Sequence, residues 1–408
     1  MSITVRSITA DELEAVSNID CALFGYRPTP DNTAYLGTLF DLPRVICAFD
    51  GDTMVGISAA LPLELTLPGG AQMRMAGITW VGVQPTHTRQ GIMRRLLMAQ
   101  LDALPEHGEP IAGLMAAESL LYRRFGFGIA SRCRRVEVDP RHAAHRVPFV
   151  DSGTMELVDV EAFLRHLETM HTRVRAMRNG MVSISSARHR ETYRRAGEEY
   201  EGAGPMQMYV HRDPAGEVDG LVSFRLAPHW ENGFPDFELR VNQLVGASTV
   251  VETALWRLCL EHDLVTKVVA AGRPVDEPIA DLFADPRRWV TREMDDLHVR
   301  PFAVPALLAA RRYSREDALV IEVRDELFSE AGGRFRLEGG RDGAECTRTD
   351  AVADIVLGPA ELGAVLLGDT AVERLWRAGL VDECTPGAVW RATAMMRWSP
   401  APWASYMF

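Results

Sequence analysis

Between Ile78 and Arg95 the chain passes from an apolar strand, Ile78 to Val83, through a short polar turn into a helix that keeps Leu96, Leu97, Ala99 and Leu101 on one side. An apolar strand handing over at a glycine to an amphipathic helix is a unit of α/β architecture, and no other stretch restricts the fold as much. The first N–H groups of a helix have no partner inside it, and the helix dipole favours an anion there. Gly91, at the turn, lets a ligand approach the backbone without a side chain in the way. Arg89, Arg94 and Arg95 add positive charge. The turn reads as a pyrophosphate cradle, although it has neither the G-x-G-x-x-G of a dinucleotide fold nor the G-K-[ST] of a P-loop.

A second feature follows further along the chain. Pro110 to Ala116 reads as a buried strand, and Glu118-Ser-Leu-Leu-Tyr122-Arg-Arg-Phe-Gly126-Phe127 comes directly after it. The pattern V-x-V-x-P-x-x-x-x-x-G-[IL] from Val81, with A-x-x-x-x-Y-x-x-x-G-F from Ala117, resembles the acetyl-CoA site of the GCN5-related N-acetyltransferases (GNAT). The resemblance implies that acetyl-CoA is held by Val81, Gly82, Val83, Arg89, Gln90, Gly91, Ile92, Met93, Arg94, Ala117 and Glu118. It also implies that Tyr122 is the general acid for the leaving thiolate. The chemistry agrees: a phenol of ordinary pKa about 10 can protonate a thiolate whose conjugate acid lies near 8.5. Two positions depart from the family pattern. Thr88 stands where Arg or Gln is usual, and Ala117 where Ser precedes the glutamate, which removes one charge and one hydroxyl from the cofactor site.

The 408 residues are too many for one ordinary core, so two or three domains are expected. Residues 1–150 read as the first α/β unit. It has a strand from Ser2 to Ile8, a capping box at Thr9-Ala-Asp-Glu12, and a hairpin turning at Asp50-Gly51-Asp52. Residues 151–290 repeat the pattern at an offset of 164, which sets Gly56 on Gly220 and Val81 on Val245. This second copy has only Gly246-Ala-Ser-Thr249 in place of the long turn and no Tyr-x-x-x-Gly-Phe. It is expected to have lost the cofactor and to serve as packing and pocket wall. Residues 291–408 carry short strands and the block ADIVLGPAELGAVLLG, which resembles a sterol-carrier-like domain. The expected fold class is therefore α/β (α+β), with two GNAT-like domains in tandem followed by a sterol-carrier-protein-like domain. That order resembles the Eis (enhanced intracellular survival) acetyltransferases. It implies N-acetylation of several amines of an aminoglycoside antibiotic by a homohexamer. A protein lysine, a peptide or a polyamine is the alternative acceptor.

The net charge of −12 argues against a nucleic-acid partner and suits a small polycationic amine. No apolar run is long enough for a membrane span, and the N-terminus has no signal-peptide pattern, so a cytoplasmic protein is expected. The six cysteines are scattered and read as reduced buried thiols, and the eleven histidines form no metal-binding pair, so no metal is expected. The chain ends Arg397-Trp-Ser-Pro-Ala-Pro-Trp-Ala-Ser-Tyr-Met-Phe408, apolar to its last residue, which predicts a docked tail. In the resembling family the terminal carboxylate, here that of Phe408, is the base that deprotonates the attacking amine. Asp20, Phe24, Tyr26 and Trp80 are the residues expected to bind the acceptor, through carboxylate charge and aromatic faces.

Overall fold

The computed structural model describes residues 3–146 and 148–408. Met1, Ser2 and Val147 lie outside them, so the first residue of the expected Ser2–Ile8 strand is not described. The strands are β1 (Ile3–Ser7), β2 (Val45–Asp50), β3 (Thr53–Thr66), β4 (Gln72–Val83), β5 (Ile111–Met115), β6 (Gly128–Ile129) and β7 (Arg132–Val138). Next come β8 (Thr154–Leu157), β9 (Gln207–Arg212), β10 (Val218–Ala227), the small hairpin β11 (Trp230–Glu231) and β12 (Phe234–Pro235), β13 (Phe237–Gly246), β14 (Val265–Pro274), β15 (Trp289–Asp295) and β16 (Leu297–Pro301). The last set is β17 (Asp317–Val323), β18 (Gly333–Gly339), β19 (Ala344–Arg348), β20 (Ile355–Leu357) and β21 (Val381–Glu383). The helices are α1 (Leu13–Phe24), α2 (Pro30–Leu39), α3 (Ile92–Asp102), α4 (Leu104–His107), α5 (Ser119–Arg123), α6 (Val160–Arg175) and α7 (Ser186–Tyr193). They continue with α8 (Thr249–Leu260), α9 (Ile279–Leu282), α10 (Val304–Ala310), α11 (Pro359–Leu366), α12 (Val372–Arg377) and α13 (Ala388–Met396). Among the described residues no helix is long and apolar enough to cross a membrane.

Two mixed sheets have the orders β1-β2-β3-β4-β5-β16-β6 and β15-β7-β14-β13-β10-β9-β8, and a third has β19-β18-β17-β20-β21. The expected cuts at 150 and 290 do not follow these sheets. β7, assigned by position to the first unit, lies in the second sheet, and β16, assigned to the third, lies in the first between β5 and β6. The chain exchanges strands because β16 pairs antiparallel with β5 across five residues, while β7 is sandwiched between β14 and β15.

The repeat is visible in packing. Gly56 of β3 faces Ile92 and Leu96 of α3, and Gly220 of β10 faces Val251 and Leu255 of α8. In both copies a helix lies so close to the strand that a side chain at this position would meet it. The glycines keep the offset of 164 whereas the helix residues are offset by 159, so the intervening turn is five residues shorter in the second copy.

The third unit is fixed to the first by two means. Arg300 on β16 is fully buried and donates to both oxygens of Asp325 (3.0 and 2.8 Å) and to the Phe125 carbonyl (2.6 Å), with its guanidinium over Phe302 and Phe328. A buried pair of this kind is costly to break on one side, because the other charge is left without compensation. Beside it α11 lies directly on β6: a Cβ added at Gly128 would overlap the carbonyl oxygen of Ala360. Gly128→Ala is therefore expected to lower stability by about 1–3 kcal/mol through overpacking. Gly197→Ala, at an ordinary backbone angle with nothing within 4 Å, is expected to stay within about 0.5 kcal/mol. Chemical unfolding of the two variants checks the difference.

Candidate active site

The site starts as a gap between two parallel strands. β4 and β5 pair only at Met75↔Ile111, Ala76↔Ala112 and Gly77↔Gly113, and then separate. On its other edge β4 stays paired with β3 as far as Val83, except where Trp80 and Val81 stand opposite the single residue Ser58. That bulge puts Trp80 at φ +49°, a left-handed conformation unusual for a bulky residue and of the kind found at functional sites. Beyond Gly77 the β5-facing backbone of β4, including Val81, Gly82 and Val83, has no strand partner among the described residues. Such groups need a partner, and an extended amide-bearing chain can supply one as an added strand.

At the far end of this edge Gly91 is the N-cap residue of α3, with φ +76° and no side-chain cap. Its glycine is required by the left-handed φ, and a Cβ there would meet nothing within 4 Å. Arg89 is also left-handed, at φ +61°. Arg89, Gln90 and Arg94 are exposed, and neither arginine has an ion-pair partner among the described residues. Arg95, expected to add charge here, instead donates to the Ile3 carbonyl on β1 (2.9 Å). Ile92 is buried against Gly56, so only its backbone N–H faces the cradle. Thr88 donates its hydroxyl to the Pro85 carbonyl (3.1 Å).

Tyr122 is buried in the apolar cluster on the α3 side of the sheet, edge-on to Phe127, with Val81 and Met93 packed against the same cluster. Its hydroxyl makes no hydrogen bond to any described residue, and burial, with Glu118 nearby, pushes the phenol above its ordinary value. The phenol is therefore held neutral, with its proton available to a base that develops within hydrogen-bond reach in the gap. Ala117 and Glu118 are exposed at the mouth of α5. Ser119 does not replace the hydroxyl missing at Ala117, because its Oγ is engaged with His298 Nε2 (3.1 Å).

The opposite face of β4 carries Trp80, one of the residues expected to bind the acceptor. Trp80 packs edge-on against Phe40, with ring centroids 4.9 Å apart. Asp20 of α1 lies half-buried beside it; burial raises its carboxyl to about 6, against the pull of the Trp80 side chain. Phe24 and Tyr26 end the same helix, 55% and 67% exposed, so the structure leaves them at the surface instead of in a wall shared with Asp20 and Trp80. The tail docks here as expected: Phe408 is buried, its ring lies by Gly77, and Thr79 Oγ1 donates to an oxygen of its terminal carboxylate (3.1 Å). Arg188 of α7 holds the residue before it, donating to the Met407 carbonyl (3.1 Å) and to Tyr35 Oη (3.1 Å). Thr79, Tyr35 and Arg188 were not foreseen. For Tyr35 there was a signal, since Thr29-Pro30 is an N-cap followed by proline at the first helical position, and it opens α2. For Arg188, brought in from 153 residues away, there was none.

The second copy shows the same gap closed. β13 and β14 pair from Phe237 to Val241 and then stop, and Asn242 is the extra residue of a bulge. Its amide donates to Tyr193 Oη and Ser223 Oγ (3.2 and 3.3 Å). Arg273 fills the space beyond, buried, donating to the Leu244 carbonyl (2.6 Å) and pairing with Glu277. The helix that follows is capped by its own Ser248, whose Oγ accepts from the Val251 N–H (3.3 Å). Half-buried Glu252 stands in its first turn, its carboxyl raised to about 7 by burial.

Of the cysteines, five are buried as expected and Cys384 is exposed.

Comparison with known proteins agrees with this anatomy. Residues 4–130 and 180–301 each match a family described as an acetyltransferase (GNAT) domain, and residues 304–405 match a sterol carrier protein domain. An uncharacterized N-acetyltransferase of Streptomyces avermitilis is 35% identical over 91% of both chains. The N-acetyltransferase Eis of Mycobacterium tuberculosis is 29% identical over 90% of both. The crystal structure of Eis1 from Mycobacterium abscessus superposes with a TM-score of 0.87 at 31% identity, covering 99% of this chain and all of that one. With two tandem GNAT units, the second plugged, and a sterol-carrier unit behind them, the chain belongs to the Eis-type GNAT N-acetyltransferases.

Proposed function

We propose that the chain acetylates amines of aminoglycoside-type polycations, at more than one position, by direct transfer across the gap between β4 and β5. The GNAT fold implies acetyl-CoA as co-substrate, which supplies the acetyl group as an activated thioester. The residues present suit it: a strand edge from Val81 to Val83 unpaired among the described residues, an open helix N-terminus at Gly91 to Arg94, and Arg89 and Arg94 without ion-pair partners among the described residues. Their work is to bind and orient, which is where much of a direct transfer's advantage comes from.

The observation that carries the reading is the docking of Phe408 at Thr79, next to the bulge residue Trp80. The terminal carboxylate is thereby set on the acceptor face, where it serves as the base for the incoming amine, while Tyr122 on the other face keeps a proton for the departing sulfur. Deprotonation and reprotonation are thus assigned to opposite sides of one strand, and no covalent link to the enzyme is needed. Asp20, half-buried beside Trp80, gives a cation both a charge and an aromatic face. The overall charge of −12 favours arrival of a polycation.

Thiol release from acetyl-CoA with kanamycin-class aminoglycosides, lysine peptides and polyamines tests the acceptor. More than one thiol per aminoglycoside is expected, and turnover of a peptide or polyamine alone would move the acceptor class. Tyr122→Phe should lower kcat by about 10²–10⁴-fold while acetyl-CoA binding, measured by calorimetry, persists. Amidating Phe408 should stop turnover without unfolding, and normal turnover would remove the carboxylate from the chemistry. Because the Asp20 carboxyl lies near 6, it is charged above that pH and neutral below. KM for a cationic amine should therefore climb as pH falls through 6, and Asp20→Asn should raise KM about tenfold at pH 8 and flatten the trend.

A further inference from the structure

The tail passes over an unusual floor before it reaches the site. Tyr406 packs edge-on against His171 on α6, at 5.5 Å between ring centroids, and at a tilt against His189 on α7, at 5.3 Å, and the two histidine rings are 5.7 Å apart. His171 is 5% and His189 1% exposed. His171 Nε2, both ring nitrogens of His189, Tyr406 Oη and the neighbouring Ser405 Oγ are all buried without a hydrogen-bond partner among the described residues. Five such atoms in one spot are exceptional, because buried polar groups are nearly always paired. A merely structural aromatic floor would be cheaper as phenylalanine, since each unpaired polar atom costs desolvation. What distinguishes histidine is that it takes a proton near neutrality.

We propose that His171 and His189 are positioning residues that seat the C-terminal tail through Tyr406, and that the seat holds only while both imidazoles are neutral. Its catalytic consequence, though not the seat itself, rests on the terminal-carboxylate role proposed above for Phe408, two residues further on. Neither ring has an acceptor to stabilise a charged form, so protonation inside the seat is opposed by burial, which depresses both histidines and takes His171 to about 3. Once the tail lifts, both rings meet water and titrate near their ordinary 6.5. A group whose proton affinity is depressed in the docked state favours docking above its ordinary value and disfavours it as pH falls below that value.

The charged neighbours bear on the sign. On α6, Arg175 opposes protonation of His171 and Glu168 favours it at His189. Arg188 on α7 holds Met407 by its carbonyl, and Tyr193 lies near Tyr406. From the link between β15 and β16, Asp296 accepts the Ala404 N–H (3.3 Å), and burial lifts its carboxyl to about 6. Asp276 accepts the Ala401 N–H (2.8 Å), and Arg178 and Arg273 face Trp403. Asp296 acts in the opposite sense to the histidines, because its carboxyl binds a proton more readily docked than free. Between pH 7.5 and 5.5 His171 alone shifts the released-to-docked ratio roughly tenfold towards release, His189 adds to it in the same direction, and Asp296 offsets about fourfold, so the net movement is towards release.

Hydrogen exchange of the C-terminal peptide reads this without reference to turnover. Protection factors for residues 401–408 of the full-length wild type should fall by at least about twofold between pH 7.5 and 5.5. In the His171→Phe/His189→Phe double variant they should rise about fourfold, since only Asp296 then titrates. Constant or rising protection in the wild type overturns the proposal, and that series needs no variant to fold. A double variant that still loses protection in acid also overturns it. If protection falls as expected but acyl transfer does not decline with it beyond the change in amine protonation, the seat stands and the role given to Phe408 fails.

Discussion

A parallel pair of strands can be zipped only while the two run together, and β4 and β5 run together for three residue pairs. Everything that makes this chain a transferase candidate follows from their parting after Gly77 and Gly113. The parting frees one edge of β4, the bulge at Trp80 and Val81 turns part of that edge out of register with β3, and Gly91 leaves the next helix end open. Sheet edges are normally a liability that proteins cover. Here the edge is covered on one face by the tail and left open along the β5 side, which gives a slot with a front and a back.

The second copy shows what such a slot becomes when it is not used. The same separation of strands is present after Val241, but Arg273, paired with Glu277, donates to the Leu244 carbonyl, and Ser248 accepts from the Val251 N–H. Two of the backbone groups at the gap thus have an internal partner, and the turn before the helix is five residues shorter than in the first copy. The plugged copy is not idle, because α6 and α7 form the surface on which Trp403 and Tyr406 lie, and Arg188 reaches from it to Met407. The second unit thus provides the surface on which the tail of the chain lies.

The sequence made the first slot legible because its signals are local. Gly91, the apolar strand before it and the Tyr122 segment each lie within one turn or one strand, and the repeat could be seen because Gly56 and Gly220 both sit under a helix. The strand exchange was not legible. β7 and β16 are short, apolar-alternating strands that would suit either sheet, and only long-range pairing decides between them. The same reason hid Arg95's use against Ile3 and the histidines beneath Tyr406, since nothing near residues 171 or 189 refers to residue 406. Phe24 and Tyr26 were placed with Asp20 because one helix and its loop carry all three. The helix turns Asp20 inward, while its left-handed cap at Gly25 carries the chain back out to solvent.

The exchange of strands also explains how three units act as one object. With β16 in the first sheet and β7 in the second, the first and second units cannot part without breaking sheet pairing, and the buried Arg300–Asp325 pair ties the third unit to the strand that crosses over. A buried ion pair adds little net stability compared with a well-packed apolar substitute, but it penalises every arrangement in which one partner is left alone. That is the property a slot between two strands requires. Its width is set by the position of β5 relative to β4, and β5 is held from outside by β16, whose own place is fixed by the side chain of Arg300. The precision of the open site is thus maintained by interactions that never touch it.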